Sequence, residues 1–439
     1  MSPQLQTVND SEFAAHIGID WADKEHAWSM QTADGQRQRG RLKQTPEAIQ
    51  AWAAELAQRF PGRRVAVALE QSRGSVVAML SKYAHLVLFP IHSTVLKNYR
   101  KAFTPSGAKS DPKDAELALE VLLKHPENLR PLQPDTVATR QLQFLTEQRR
   151  ALVNQQTSQK QFLIAWLKQV FPQILLWFED VGSEMVGDLL LKWPTVQALQ
   201  QVPAEQLRSF FTGHNCRSKE RMEERIAAIS TAVPATNDPA LLDSAVLFIE
   251  TAVRLLAELR AATARLDAAT DKIYKDHPDR CIIESFPGAG AALEPRLIAA
   301  VGTIRDRFDS AQSLATYVGI APVKEASGNQ SWIHWRWSCP KFLRQTFHEW
   351  AGCSIRTCAW AREHYDSQRQ KGKGHHAAIR SVAFKWIRIF FRCWRDRKPY
   401  CEETYLKARE SHSKKSEPAV VELQWKSCGG FSKLSKSSS

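Results

Sequence analysis

The chain has 439 residues, a length that predicts two or three domains, and no apolar run nears the roughly 20 residues that a bilayer demands, so a membrane-spanning helix is excluded. The hydrophobic fraction of 43% and charged fraction of 24% are ordinary for a globular protein, but a net charge of +14 and a pI near 9.4 exceed what solubility requires and point to a polyanionic partner such as nucleic acid. The eight cysteines, at 216, 281, 339, 353, 358, 393, 401 and 428, lack Cys-x-x-Cys spacing with matching histidines, which disfavours structural zinc and disulfides; MSPQLQTVNDSEF lacks secretory-signal features, so a cytoplasmic location is expected.

In chain order, FAAHIGID (13–20) alternates as a strand and EHAWSMQ (25–31) follows as a second. A turn at Ala33, Asp34 and Gly35 leads to a third strand from Arg37 to Leu42, completing an antiparallel meander. Thr45 and Pro46 supply the cap and first-turn signals of a helix through Phe60, stopped by Pro61 and Gly62. RRVAVALE (63–70) is a buried strand, Ser72 to Tyr83 a helix, and HLVLFPI (85–91) a strand. SDPKDAELALEVLLKH (110–125) begins a helix with Ser110 as N-cap and acids in its first turn. The order β-β-β-α-β-α-β-α predicts an α/β domain with a mixed sheet over residues 1–135.

Heptad recurrence from Leu142 to Val170 and again through Leu242, Ile249, Leu256, Leu259, Leu266 and Ile273 predicts two long helices pairing as a coiled-coil hairpin over residues 136–280. The segment between them, with Pro, Gly and short apolar clusters, is expected to be a helical insertion at the hairpin tip. A mainly helical C-terminal domain with a short β segment is expected over 281–408. The Ser- and Lys-rich residues 409–439 lack periodicity and are expected to be disordered.

Four acids stand out in the first domain. Asp20 and Glu70 emerge at the ends of apolar strands, and Asp111 and Asp114, spaced i, i+3, share one face of a helical first turn. Such acids also serve as turn starters or helix caps, and Asp23 and Glu25 are nearby competitors. If the four converge, their hard oxygen ligands suit magnesium, and a pair of such ions supports phosphodiester chemistry.

In the C-terminal domain, FPGAGAALEPRLIAAVG is similar to half of a helix-hairpin-helix, in which Gly288 and Gly290 would present backbone N–H groups to a phosphate; a plain glycine turn is the alternative. Ser327 and Gly328 occupy a turn between a helix and a short strand, where serine commonly serves turn geometry alone. SWIHWRW alternates with Ile333, Trp335 and Trp337 on one face, expected in the core, and Trp332, His334 and Arg336 on the other. Residues 331–410 hold 17 Lys and Arg against 7 Asp and Glu. In AFKWIRIFFRCWRDRKPY, Phe384, Ile387 and Phe391 are expected inward, and Lys385, Arg388, Arg392 and Arg395 outward as a phosphate-binding face together with Arg336, Lys341 and Arg344. His375 and His376 read as solvated residues of a Gly- and Lys-rich loop.

HIGIDWADKEH, ALEQSRG, YRKAFTPSGAKSDPKDAELALE, FPGAGAALEPRLIAAVG, RFDSAQSLATYVGIAPVKEASGNQ and CPKFLRQTFHEWAG together resemble the DEDD transposases of the insertion-sequence-110 group. The resemblance spans both end domains. It implies a ribonuclease-H-like, RuvC-like N-terminal domain whose DEDD acids are Asp20, Glu70, Asp111 and Asp114, with two magnesium ions that manganese can replace. It also implies Ser327 as a nucleophile that forms a phosphoserine link to DNA, a structured guide RNA, donor and target DNA, and a dimer assembling to a tetramer with composite sites. Two competing readings are a RuvC-like junction nuclease that uses water and has no role for Ser327, and a nucleic-acid-binding protein without catalysis.

Overall fold

The computed structural model of the chain describes residues 12–103, 111–328 and 330–407. They divide into two compact units at residue 134. In the first, β1 (Phe13–Asp20), β2 (Glu25–Thr32) and β3 (Arg37–Lys43) form the antiparallel meander. After α1 (Pro46–Arg59), capped by the Thr45 side chain, β4 (Arg64–Leu69) pairs with β1 in parallel. The short α2 (Ser75–Leu80) carries the chain across to β5 (Leu86–Pro90), parallel to β4, and the sheet order is β3-β2-β1-β4-β5. Helix α2 starts later than its sequence suggests because Gly74, at φ 119°, takes a backbone conformation that no helix contains.

Helix α3 (Ser93–Phe103) was not evident in the sequence: among its described side chains only Leu96 is buried, with Tyr99 and Arg100 half-buried, too narrow a stripe to register as periodicity. Helix α4 (Asp111–Lys124) follows, and its expected cap, Ser110, lies outside the described residues. The two faces of the sheet carry separate cores. Ile17, Ile19, Val65, Val67 and Leu69 pack on Ile49, Trp52 and Leu56 of α1 and on Val76 and Leu80 of α2. Phe13, Ala66, Ala68 and Phe89 pack on Ala118, Val121 and Leu122 of α4. Small residues on this second face let α4 come close: a Cβ on Gly18 would lie 2.1 Å from the Ala115 carbonyl oxygen.

The second unit opens with α5 (Val137–Val170). Helices α6 (Ile174–Trp177), α7 (Glu184–Lys192), α8 (Val196–Gln200), α9 (Ala204–Gly213) and α10 (Lys219–Thr231) follow, and α11 (Pro239–Lys275) runs back along α5. The pair is antiparallel, since Arg149 meets Asp267 while the Gln156 amide donates to the Leu259 carbonyl at 2.9 Å and to Thr263 Oγ1 at 2.7 Å. The intervening short helices share a core with both, built on Leu163, Phe171, Leu189, Phe211 and Ile249.

The rest of this unit comprises α12 (Arg280–Glu284), α13 (Gly290–Val301), α14 (Ala311–Tyr317), a hairpin of β6 (Val323–Ser327) and β7 (Gln330–His334), and α15 (Lys341–Ser354), α16 (Ala359–Gln370) and α17 (His375–Asp396). Its core is aromatic, with Phe286, Phe347, Trp350, Trp360, Trp386 and Trp394 buried together. On α17, Ile387 and Phe391 are buried and Phe384 packs at the core margin, while Arg388, Arg392 and Arg395 are exposed and Lys385 is half-buried.

Three expectations are corrected here. The Ser327–Gly328 turn joins two strands, not a helix and a strand, since residues 323–327 pair with 330–334. The face of Ile333, Trp335 and Trp337 is not core: Ile333 and Trp337 are 70% and 78% exposed and Trp335 is half-buried, because among the described residues no element packs over the two-stranded hairpin. His375 and His376 open α17 instead of lying in a loop, though both are exposed. The tail at 409–439 lies outside the described residues. No described helix is long and apolar enough to cross a membrane.

Candidate active site

The acids of the first unit are positioned by strand register. Ile19 of β1 pairs with Leu69 of parallel β4, so the next residues, Asp20 and Glu70, leave adjacent strands at the same end of the sheet. Ile17 and Ile19, like Val67 and Leu69, point to the α1 side; by alternation Asp20 and Glu70 belong to the opposite face, with Gly18, Ala66 and Ala68. Helix α4 covers that face and runs antiparallel to β1, because Val121 and Leu122 share a core with Phe13 at the start of the strand while Ala115 meets Gly18 near its end. Its first turn, with Asp111 and Asp114, therefore lies toward the end of β1 where Asp20 stands.

Asp20 and Glu70 line one cleft of about 830 Å³, with Gln71, Arg73, Pro90 and His92 among its other walls. Asp20 is half-buried and Glu70 exposed. Asp114 is 5% exposed, and the Arg100 guanidinium of α3 stands 2.5 Å from its Oδ1. Asp111 is exposed at the first position of α4. Among the described residues no three His, Cys, Asp or Glu side chains are grouped as a metal site. Of the competitors, Glu25 is ion-paired with Arg41 at 3.0 Å, and Asp23 is exposed, as Glu70 and Asp111 are.

In the second unit Ser327 is the last residue of β6, exposed, opposite Gln330, with Gly328 following in the left-handed region at φ 56°. On the same hairpin face, two residues back, Glu325 accepts from the Trp332 indole at 3.0 Å and pairs with His334 Nε2 at 2.6 Å. The Trp335 carbonyl and then Glu325 take up both His334 ring nitrogens, which holds its imidazole above its usual range. The Ser327 hydroxyl has no hydrogen-bond partner among the described residues, so the hairpin itself supplies it no base.

The candidate phosphate-binding residues divide. Gly288, at φ 75°, is pressed on α15, where a Cβ would lie 2.7 Å from the Ser354 nitrogen, so close packing by itself requires glycine there. Gly290 opens α13 with open space beside it. Arg336 donates to the Ala321 carbonyl and Arg344 to the Arg336 carbonyl at 2.9 Å, so both brace the hairpin base. Lys341 and Arg388 are exposed, and Arg392 is paired with Asp396. Two charged residues at these sites escaped the sequence reading, Arg100 and Arg380. The first sits on the unforeseen α3; the second sits in the basic run already noted, but its partner is 45 positions away.

Comparison with known proteins follows the same division. A DEDD transposase family of IS110 matches residues 17–172, and the Transposase IS116/IS110/IS902 family matches residues 281–366. The first block contains the four acids and the second contains Ser327. The chain is 27% identical over 406 residues to the mini-circle putative transposase for IS117 of Streptomyces coelicolor, covering 90% of this chain and 97% of that protein. It is 25% identical over 397 residues to the insertion element IS900 uncharacterized 42 kDa protein of Mycobacterium paratuberculosis, covering 87% and 96%. A similar match, 25% over 390 residues, is to the insertion element IS116 uncharacterized 44.8 kDa protein of Streptomyces clavuligerus.

Proposed function

The chain belongs to the insertion-sequence-110 group of DEDD transposases, and from that membership we propose that it cuts and rejoins DNA strands with two cooperating groups, the carboxylates of Asp20, Glu70, Asp111 and Asp114 and the hydroxyl of Ser327. The observation that carries the reading is the register that sets Asp20 beside Glu70 at one end of the sheet, on the face covered by α4. Strand order β3-β2-β1-β4-β5 with helices on both faces supports a ribonuclease-H-like, RuvC-like domain.

The donor set suits magnesium in kind, being hard oxygen ligands carried toward one end of the sheet, and a metal at Asp114 would share or take the place of its Arg100 partner. Two such ions, or manganese in their stead, would stabilise charge developing on a phosphate and lower the pKa of a bound nucleophile. The Ser327 Oγ forms a bond to a DNA phosphorus as a phosphorus–deoxyribose oxygen bond breaks. The serine proton passes to a base, and the departing oxygen takes up a proton as a free hydroxyl. A hydroxyl from another strand then reverses the step and releases the serine. Because Glu325 is engaged by Trp332 and His334, the acidic cluster, from the same or another subunit, is the activating partner.

The wider reading follows the family. Donor and target DNA contact Gly290, Lys341, Lys385, Arg388 and Arg392, a structured guide RNA directs the choice of site, and the long helices pair as a coiled coil between domain boundaries near 135, 280 and 408. A dimer assembling to a tetramer holds four strands for exchange in the bacterial cytoplasm. On a nicked suicide DNA substrate, the wild type is expected to form a covalent protein–DNA adduct that Ser327→Ala abolishes. Asp20→Asn is expected to slow magnesium-dependent cleavage by more than about 100-fold, the order of effect seen on perturbing metal surroundings. Cleavage without an adduct would identify a water-using junction nuclease instead; cleavage indifferent to Asp20 would leave only nucleic-acid binding.

A further inference from the structure

At the base of the β6–β7 hairpin, the Trp335 indole is shared by two guanidinium groups. Arg344, from the first turn of α15, stands 4.5 Å from the ring centre, and Arg380, from the second turn of α17, stands 4.1 Å from it. Cations stacked on an indole gain from its quadrupole, but two on one ring repel each other. No carboxylate relieves that repulsion among the described residues. The acids nearest in sequence are taken: Glu349 pairs with Arg296 at 2.7 Å and accepts from Gln345, and Glu325 pairs with His334. The other ionisable neighbours add positive or neutral groups. His348 and His376 lie with their rings 5.5 Å apart in the same α15–α17 contact. Burial, and then the Arg344 charge, hold the Arg380 guanidinium below its usual range, which is the signature of a cation lacking its anion.

Guanidinium groups present planar, fixed N–H forks that match phosphate oxygens, and Arg344 has spent only Nη1, on the Arg336 carbonyl. We propose that Arg344 and Arg380, steadied on Trp335, form a clamp for one DNA phosphodiester flanking the strand that Ser327 attacks. Trp335 follows His334, which pairs with Val323, and Ser327 lies four residues further along the hairpin. At about 3.3 Å per residue this is about 13 Å, so the clamped phosphate is a few nucleotides from the reacting one. The clamp fixes the register of the strand, not its chemistry, and Arg380 is a positioning residue. This inference rests on the reading of Ser327 as the DNA-reactive residue.

The test uses the full-length protein, a DNA duplex and a separately transcribed structured RNA, with affinity measured across a salt series. If the clamp exists, Arg380→Gln lowers the slope of log affinity against log salt by about 0.9 for the duplex, the equivalent of one phosphate contact. Arg380→Lys, which keeps the charge, is expected to restore most of the slope while still shifting the position of the Ser327 adduct along the duplex or blurring it over neighbouring positions. Should Arg380→Gln fold poorly, Arg344→Gln carries the same expectation. An unchanged DNA slope in folded Arg380→Gln, or a change confined to the RNA, overturns the clamp. A flat slope in the wild type overturns instead the nucleic-acid reading on which it rests.

Discussion

Asp114 illustrates how much a single buried charge depends on its neighbour. Its carboxylate is 5% exposed and its ion pair with Arg100 is mostly withdrawn from water, so removing the cation leaves an uncompensated buried charge. Arg100→Gln is expected to cost about 3 kcal/mol in urea denaturation. If Asp114 also holds magnesium, millimolar magnesium stabilises this variant more than the wild type; equal stabilisation of both would separate Asp114 from the metal. Asp135 makes the corresponding case in the second unit. Burial pushes its carboxyl up, but Thr303 Oγ1 at 2.6 Å, the Thr136 and Thr303 N–H groups and Arg307 outweigh burial and hold it below the usual range. A depressed carboxyl contributes stability above its unfolded pKa, near 3.9, and loses it as pH falls through the lower folded value. Asp135→Asn should therefore be less stable than the wild type at pH 7 by about 1–3 kcal/mol. The gap should narrow toward pH 3, and a constant gap would contradict the role given to the charge.

Elements meet closely where side chains are smallest. Gly18, Ala66 and Ala68 form a shallow floor on which Ala115 and Ala118 of α4 rest, and this close seat brings the first turn of α4 toward the end of β1. Gly18→Ala would set a methyl 2.1 Å from a backbone oxygen that cannot swing aside as a side chain can. The helix must move, at a cost of about 1–3 kcal/mol, and the acids of its first turn move with it. A melting temperature lowered by several degrees together with impaired cleavage is the expected result; wild-type stability and activity in Gly18→Ala would mean that α4 is not seated as described. The hairpin of β6 and β7 shows the opposite condition. Among the described residues it has no covering element, so Trp332 and Ile333 remain at the surface, 46% and 70% exposed, and its anchorage comes from the base, where Arg336 and Arg344 bond to backbone carbonyls.

Across the whole chain, alternation and heptads were enough to locate β1 to β5, α1, α4, the long helices α5 and α11, and the strand ends bearing Asp20 and Glu70, because burial on one face imposes a period that survives without knowledge of the partner. Helix α3 escaped because among its described side chains only Leu96 is fully buried, and the start of α2 was placed too early because Gly74 leaves no periodic trace. The SWIHWRW segment misled for a related reason: alternation says that a strand has two faces, not that anything lies against either of them. Local sequence thus determined which residues form elements and which acids stand at their ends. Only tertiary structure decided that Asp114 meets Arg100, that Gly18 admits α4, and that Arg344 and Arg380 share Trp335, since each of these contacts joins residues on separate elements and exists only once packing has set those elements side by side.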